Sequence, residues 1–233
     1  MYKRILLKLS GESLGNNNGQ GINEDNLLNY VKQIKKAVFN GIQVGVVLGG
    51  GNIFRGVSGE KTGTNRVTGD YMGMLATVIN SMVLKDALLN NGIDAVLYTS
   101  FIIQFIGEPF VKEKAIADLE KGKVVIIAGG TGNPYFTTDS AAALRAIQIE
   151  ANILLKGTRV DGVYSDDPEK NPNAVKFDEL SYDEVITKGL KIMDLTAFAL
   201  CKENKMPILV YNSTDAKNFE KIIAGEKIGT IVK

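Results

Sequence analysis

Six short apolar runs limit the fold more than any other feature of this sequence. They are RILLKL, IQVGVVLG, DAVLYTS, KVVIIAGG, NILLKG and PILVYN, beginning at Arg4, Ile42, Asp94, Lys123, Asn152 and Pro207. Most are apolar at successive positions, which is typical of strands buried on both faces of a parallel sheet. Helical patterns lie between them, so the sequence predicts an α/β fold with a mainly parallel sheet and helices on both faces.

Capping residues and apolar spacing predict where helices lie. Asn23 precedes two acidic residues and an apolar stripe that stops at Gly41, and Ser181 with Glu184 has the spacing of a capping box. Apolar periodicity predicts three more helices: a long one with apolar residues at 71, 75, 78 and 82 that ends near 92, and others over 141–150 and 194–203.

Composition excludes several kinds of chemistry. The 233 residues carry a net charge of +1, contain no histidine and have one cysteine, Cys201. A Ser-His-Asp triad and histidine-ligated zinc are therefore excluded. The balanced charge gives no support for nucleic-acid binding, and the uninterrupted apolar runs are shorter than the roughly 20 residues of a membrane helix. A single cysteine forms no internal disulfide, so we expect a cytoplasmic protein that binds neither nucleic acid nor membranes.

Glycine-rich turns follow three of the predicted strands, at residues 10–11, 49–51 and 129–132; we call them the first, second and third glycine turns. Ligands of parallel sheets bind where strands end, and bare backbone N–H groups can hold phosphate. Tight strand-to-helix turns are the alternative explanation for any one of them. Neither G-x-x-x-x-G-K-[ST] nor G-x-G-x-x-G occurs, so the sequence predicts phosphate binding outside the P-loop and Rossmann classes.

Charged residues stand beside these turns. Lys8 lies inside an apolar strand, where a lysine needs either an acidic partner or an anionic ligand at the strand end. Arg55 follows the second glycine turn, and its fork suits phosphate oxygens. Asp70 stands at the start of the long helix, where it either supplies a favourable N-terminal charge or accepts hydrogen bonds from a ribose.

Two further segments combine hydroxyl, basic and acidic groups. Thr137, Thr138 and Asp139 come together before a helix, and capping accounts for one threonine only. Lys156 closes another apolar strand. The D-G turn before Tyr164, with the acids that follow, predicts either a hairpin with a solvated loop or a place for a nucleobase.

Six segments resemble the uridylate kinases of the amino acid kinase family, in family order over nearly the whole chain. They are KLSGE from Lys8, GGGNIFRG from Gly49, GDYMGMLATV from Gly69, TGNPYFTTDSAA from Thr131, LKGTRVDGVYSDDP from Leu155 and IMDLTAFAL from Ile192. The ending GEKIGTIVK is similar to the family's last strand. The resemblance implies a three-layer α/β/α sandwich in one domain, 1–233, with a UMP-binding part at about 1–150 and an ATP-binding part at about 151–233.

The resemblance also implies an activity. The γ-phosphoryl group of Mg-ATP would pass to UMP, giving UDP and ADP for pyrimidine nucleotide synthesis. Mg²⁺ would be carried mainly by the nucleotide phosphates, without protein metal ligands. Members are homohexamers built from three dimers, for which the apolar helix after Gly69 would supply a dimer surface, and UTP commonly inhibits them.

Site residues follow from the same resemblance. Lys8 and Asp139 would be catalytic, with Asp139 orienting Lys8. The implied ATP contacts are Lys8, Leu9, Ser10, Gly11, Gly51, Arg55, Lys156, Thr158, Tyr164 and Asp167. The implied UMP contacts are Gly50, Asp70, Thr131, Gly132, Asn133, Pro134, Tyr135, Phe136, Thr137 and Thr138.

One loop departs from the family pattern. Its composition predicts flexibility, and it aligns with a segment tied to GTP activation: Asn16, Asn17, Asn18, Gly19, Gln20 and Gly21. Here the loop is rich in asparagine rather than in charged and aromatic residues, which argues against GTP activation but not against kinase activity.

Two other functions stay open. A sister kinase acting on a carboxylate or carbamate would share the fold, although Asp70 and the TGNPYFTT segment favour a nucleotide acceptor. A non-catalytic oligomeric nucleotide sensor would keep the base pocket but could lose Lys8 or Asp139, and both are present.

Overall fold

The computed structural model describes residues 2–54 and 63–233. Its strands are β1 (Arg4–Leu9), β2 (Gln43–Leu48), β3 (Ala95–Thr99), β4 (Glu108–Pro109), β5 (Val124–Ala128), β6 (Ile153–Thr158), β7 (Val163–Tyr164), β8 (Lys176–Phe177), β9 (Glu179–Leu180), β10 (Ile208–Asn212) and β11 (Thr230–Val232). Its α-helices are α1 (Glu24–Phe39), α2 (Arg66–Asn90), α3 (Lys112–Glu120), α4 (Thr138–Gln148), α5 (Tyr182–Thr187), α6 (Leu195–Glu203) and α7 (Ala216–Ala224).

Nine of these strands form one sheet in the order β4-β3-β5-β2-β1-β6-β10-β11-β9. All neighbouring pairs are parallel except β10 with β11. All six predicted strands lie in this sheet, which confirms the predicted α/β class. Because β1 lies between β2 and β6, the turns that follow these three strands meet at one edge of the sheet.

Helices cover both faces of the sheet and give three layers. On one face α1, α2 and α7 bury side chains such as Ile34, Leu84 and Phe219. On the other face lie α3 to α6, of which α4 buries small side chains, among them Ala142 and Ala146. Alanine at these positions lets the helix axis approach the sheet closely, which brings the start of α4 near the ends of the central strands.

The predicted helix starts agree with the structure. The Asn23 side chain accepts a hydrogen bond from the Asn26 N–H at 3.0 Å, and Ser181 with Glu184 forms the predicted reciprocal capping box. The sequence analysis did not predict α3, which buries only two of its residues, Ala115 and Leu119, and so carries almost no apolar periodicity. It also missed α7 and the short strands β4, β8 and β9.

Helix α2 combines two surfaces. Among the described residues it is the one helix that is long and apolar enough, by length and composition, to suit a membrane span. The expectation of no membrane helix considered only uninterrupted apolar runs and so did not include α2. Core helices meet the same criterion, and Leu84 and Leu88 are fully buried against the sheet. The opposite side exposes an apolar face made of Tyr71, Met72, Leu75, Ile79 and Met82.

Candidate active site

Two lysines and one aspartate form a compact charged cluster at the carboxyl edge of the sheet. Lys8 and Lys156 are register partners on the parallel strands β1 and β6. Asp139, in the first turn of α4, lies between them, with Oδ1 2.8 Å from the Lys8 Nζ and Oδ2 2.5 Å from the Lys156 Nζ. Lys156 Nζ also donates to the Ile192 carbonyl at 2.6 Å. We call Lys8, Asp139 and Lys156 the triad.

The triad is mostly buried, with none of its side chains more than 15% exposed. Burial acts to raise the pKa of Asp139, but the charges and hydrogen bonds of the two lysines outweigh it, so that pKa is lowered. Burial, with a smaller contribution from Lys8, lowers the pKa of Lys156 against the attraction of Asp139. The triad itself holds two ammonium groups and one carboxylate, and the carboxylate of Asp194 adds a weaker opposing charge at Lys156.

The first and second glycine turns pack against each other. A Cβ added at Gly11 would lie 2.6 Å from the Gly49 carbonyl oxygen, and one at Gly49 would lie 2.8 Å from the Gly11 nitrogen. At Gly50 the close neighbour is α2, whose Gly73 carbonyl oxygen would be 2.8 Å away. Close packing of the chain against itself therefore requires glycine at these three positions, and their contact with a ligand stays a prediction.

A buried pair of amides, which the sequence analysis missed, supports the second glycine turn. Asn52 and Asn80 of α2 exchange side-chain hydrogen bonds of 3.1 and 2.7 Å. Asn80 also donates to the Gly49 carbonyl and Asn52 to the Gly21 carbonyl, each at 2.7 Å. An asparagine inside the apolar stretch of a helix was the available signal, because a buried amide needs partners.

Backbone hydrogen bonds hold the asparagine-rich loop 16–21. The Asn16 N–H donates to the Gln20 carbonyl at 2.9 Å, and the Gly19 N–H donates to the Asn16 carbonyl at 2.7 Å. The Gly21 N–H closes on the Asn52 carbonyl at 3.0 Å. The last of these bonds attaches the loop to the residue that follows the second glycine turn, and the flexibility of the loop stays a prediction.

The segment from Thr131 to Thr138 is attached to α2 through Asp70. The carboxylate of Asp70 accepts from the Tyr135 N–H at 2.7 Å and pairs with Arg66 at 2.9 Å. Tyr135 has a φ of 71°, a left-handed conformation that is uncommon for a tyrosine. Met74 of the same helix would contact a Cβ at Gly130 at 3.4 Å. Asp70 therefore holds the backbone of the segment 131–138, in addition to placing a negative charge near the start of α2.

Asp194 is a second acid that the sequence analysis did not select. It caps α6 by accepting from the Ala197 N–H at 2.9 Å. It also accepts hydrogen bonds from the hydroxyls of Thr137 and Ser140. Thr137 in turn caps α4, as predicted for one threonine of the cluster. Asp194 therefore joins the starts of two helices beside the triad.

A cavity of about 1320 Å³ opens next to the triad. Of the predicted site residues, the structure brings into its lining Lys8, Ser10, Gly51, Lys156, Thr158 and the whole loop 16–21. Asp70 and the segment 131–138 lie outside this lining. The Leu9 side chain belongs to the core, so only its backbone can face a ligand.

Three other predicted residues need separate mention. Tyr164 donates its hydroxyl to Asp161, and Asp167 pairs with Lys170 at 3.1 Å; neither lines the cavity. After the D-G turn, β7 pairs in antiparallel register with β8, so the hairpin closes across residues 165–175 and not across the D-G turn itself. Arg55 lies outside the described residues.

A mainly parallel sheet whose carboxyl edge holds glycine turns and a buried cluster of two lysines and one aspartate fits an α/β phosphotransferase without a P-loop. The amino acid kinase family model matches residues 3–212. The chain is 55% identical to the uridylate kinase of Bacteroides thetaiotaomicron over 99% of this chain and 98% of that protein. The solved UMP kinases of Bacillus anthracis and Ureaplasma parvum superpose with TM-scores of 0.97 and 0.94, at 35% and 36% identity. They match all of this chain and 96% and 99% of their own.

The chain belongs to the amino acid kinase family. Within that family it groups with the uridylate kinases, because identity and structural similarity both extend over its full length. This confirms the resemblance inferred from the six sequence segments.

Asp139→Asn should lower the free energy of unfolding by about 3 kcal/mol at neutral pH, because it leaves two buried lysines without their carboxylate. The pKa of Asp139 is lower in the folded protein than in the unfolded chain. Its contribution is therefore complete above the unfolded value of about 4 and is lost as the pH falls through the lowered folded value. Denaturant titrations at several pH values should show the difference from wild type shrinking below about pH 4.

The exposed Asp178 provides the matched control. Asp178→Asn should leave the stability within about 0.5 kcal/mol of wild type. A deficit in Asp139→Asn that is equally large at neutral and strongly acidic pH would show that the charge of Asp139 is not its source.

Proposed function

We propose that this protein is a UMP kinase, which transfers the γ-phosphoryl group of ATP to UMP and gives UDP and ADP. The observation that carries the proposal is the buried triad at the edge where the glycine turns meet, in a chain that is 55% identical over its length to a uridylate kinase. The product would enter pyrimidine nucleotide synthesis.

The mechanism needs no histidine. The acceptor is a phosphate oxyanion, which is already nucleophilic, so the difficulty lies in bringing two anionic groups together and stabilising the transferring phosphoryl group. Lys8 and Lys156 would supply positive charge at that group, and Asp139 holds both ammonium groups in place. A charge-assisted hydrogen bond of this kind contributes roughly 1.5–3 kcal/mol.

Magnesium fits this site as an ion carried by the nucleotide. Both oxygens of Asp139 are engaged by lysines, and residues 2–54 and 63–233 contain no cluster of three or more side chains able to ligate a metal. Bound to the phosphates of ATP, Mg²⁺ would offset negative charge on the donor. The protein's part is to orient the phosphates with lysines and backbone amides.

The two nucleotides would occupy different parts of the edge. We assign ATP to the cavity, where Ser10, Gly51 and Thr158 stand beside Lys8 and Lys156. Leu9, Gly11, Arg55, Tyr164 and Asp167 remain further proposed ATP contacts. We assign UMP to Gly50, Asp70 and the segment 131–138. The hydrogen bond between Asp70 and Tyr135 supports this grouping, because it brings two separately predicted UMP contacts together.

The wider biology stays a proposal as well. The exposed apolar face of α2 supports a dimer contact and, with it, a hexamer of three dimers, which light scattering would test. The single cysteine is buried and free, which suits a cytoplasmic enzyme, and cell fractionation would test that location. UTP as an inhibitor and the loop 16–21 as an effector contact can be tested by adding UTP or GTP to the assay below.

The direct experiment measures ADP release in a coupled assay with Mg-ATP and a panel of acceptors: UMP, CMP, aspartate, glutamate and carbamate. We expect turnover with UMP well above that with the other acceptors. Turnover with a carboxylate or carbamate instead would identify a sister kinase. UMP binding in calorimetry without ADP release would identify a nucleotide sensor.

Lys8→Ala should lower kcat by about two to three orders of magnitude, because it removes a fixed cation from the transferring phosphoryl group. Lys3→Ala, which removes an exposed lysine just before the same strand, is the control and should keep wild-type kcat. Circular dichroism and thermal melting check that both variants fold. Near-normal turnover of folded Lys8→Ala would refute the catalytic role of Lys8.

Asp70→Asn should reduce kcat/KM for UMP about tenfold while changing the KM for ATP little, because a carboxylate is lost only on the acceptor side. Asp86→Asn changes an exposed acid on the same helix and should have no effect on either nucleotide. Steady-state kinetics with each nucleotide varied in turn measures the difference. Equal losses for UMP and ATP would count against a role of Asp70 at the acceptor.

A further inference from the structure

Arg145 of α4 is a buried cation without an acidic partner. It is 5% exposed. Its Nη2 donates to the Ser100 Oγ at 2.8 Å and its Nη1 to the Gln148 Oε1 at 2.5 Å, and the guanidinium lies 4.3 Å from the centre of the Phe110 ring. Its Nε has no hydrogen-bond partner among the described residues, and no carboxylate there pairs with it.

Such a charge is costly unless something compensates it. Burial lowers the pKa of Arg145 to about 10, so the group is still charged at neutral pH. Neutral hydrogen bonds and an aromatic ring offset part of the desolvation cost but add no negative charge. Arg4, the other buried arginine of the described chain, differs in having Glu120 3.6 Å from its Nη2. An anion near Arg145 would supply the missing charge.

Ser100 connects Arg145 with the third glycine turn. The Ser100 Oγ lies 2.6 Å from the Gly130 carbonyl oxygen and 3.0 Å from that of Ala128, so the hydroxyl donates into the start of the turn while it accepts from Arg145. A Cβ added at Gly132 would lie 2.8 Å from the Ser100 carbonyl oxygen. Ser100 therefore packs against residues 129–132 and donates a hydrogen bond to them, and Arg145 holds the Ser100 hydroxyl in place.

We propose that Arg145 is a positioning residue for the acceptor nucleotide. Arg145 holds the third glycine turn through Ser100 and places a positive charge without a carboxylate partner near that turn. The ligand class is a phosphate monoester bound over residues 129–132. This inference rests on the proposed function, since it assigns the acceptor to that turn. It concerns a residue outside the triad and outside the cavity lining.

Kinetics of Arg145→Met and Arg145→Lys, each with UMP and ATP varied separately, tests the proposal. Arg145→Met should raise the KM for UMP about tenfold and leave the KM for ATP within about twofold. Arg145→Lys keeps the positive charge but loses the planar guanidinium with its several N–H donors. Its KM for UMP should therefore lie between those of wild type and Arg145→Met. Arg4→Met is the matched control: it removes a buried arginine from the opposite edge of the sheet, and should lower thermal stability without changing either KM.

The outcomes separate the possibilities. An unchanged KM for UMP in folded Arg145→Met, or equal increases for both nucleotides, would overturn the proposal and leave Arg145 a structural residue. If Arg145→Met does not fold, Ser100→Ala decides, since it cuts the link and keeps the arginine; a UMP-specific increase of severalfold supports the proposal, and none refutes it. If the wild-type protein is inactive with UMP, the proposed function itself is wrong. If the wild-type protein is active but the Arg145 and Ser100 variants keep its KM for UMP, only the role of Arg145 is wrong.

Discussion

The ion pairs of Asp139 with Lys8 and Lys156 join the three elements on which the site depends. Parallel register places two ammonium groups side by side on β1 and β6, where they would repel each other in a largely buried setting. The carboxylate of α4 removes most of that repulsion, and the carboxylate of Asp194 adds a weaker attraction at Lys156. Its position follows from the alanine face of α4, which lets the helix start close to the strand ends. The packing of α4 on the sheet therefore decides where the carboxylate of Asp139 lies between the two lysines.

Helix α2 contacts the second and third glycine turns at the carboxyl edge of the sheet. Asn80 holds the second glycine turn, Met74 lies beside the third, and Asp70 fixes the backbone of Tyr135. The apolar face of the same helix is exposed on the opposite side. A contact made on that face would bear on the helix that aligns both turns, so the proposed association of subunits and the proposed acceptor segment would be coupled through α2.

Sequence alone was sufficient where local chemistry decides structure. The apolar runs defined the central strands, and Asn23 and Ser181 capped helices because short polar side chains satisfy free N–H groups. The sequence also showed that Lys8 required a partner, but which acid met it depended on strand register and on the approach of α4. The amide pair of Asn52 and Asn80 and the hydrogen bond from Ser140 to Asp194 join segments distant in the chain. The sequence can show that such a polar residue needs a partner, but not which residue that partner is.

The glycines show that a bare backbone alone does not identify a ligand site. Three consecutive residues without side chains suggested a ligand against the backbone, yet Gly49 meets Gly11 and Gly50 meets α2. Packing alone would conserve this geometry whether or not phosphate bound there. What distinguishes a phosphate site from a tight turn is charge that the fold leaves uncompensated. Arg145, which has no carboxylate partner among the described residues, and the two lysines of the triad place positive charge near the glycine turns. This charge supports the proposed phosphate sites, because a bound anion would offset part of the desolvation cost of these groups.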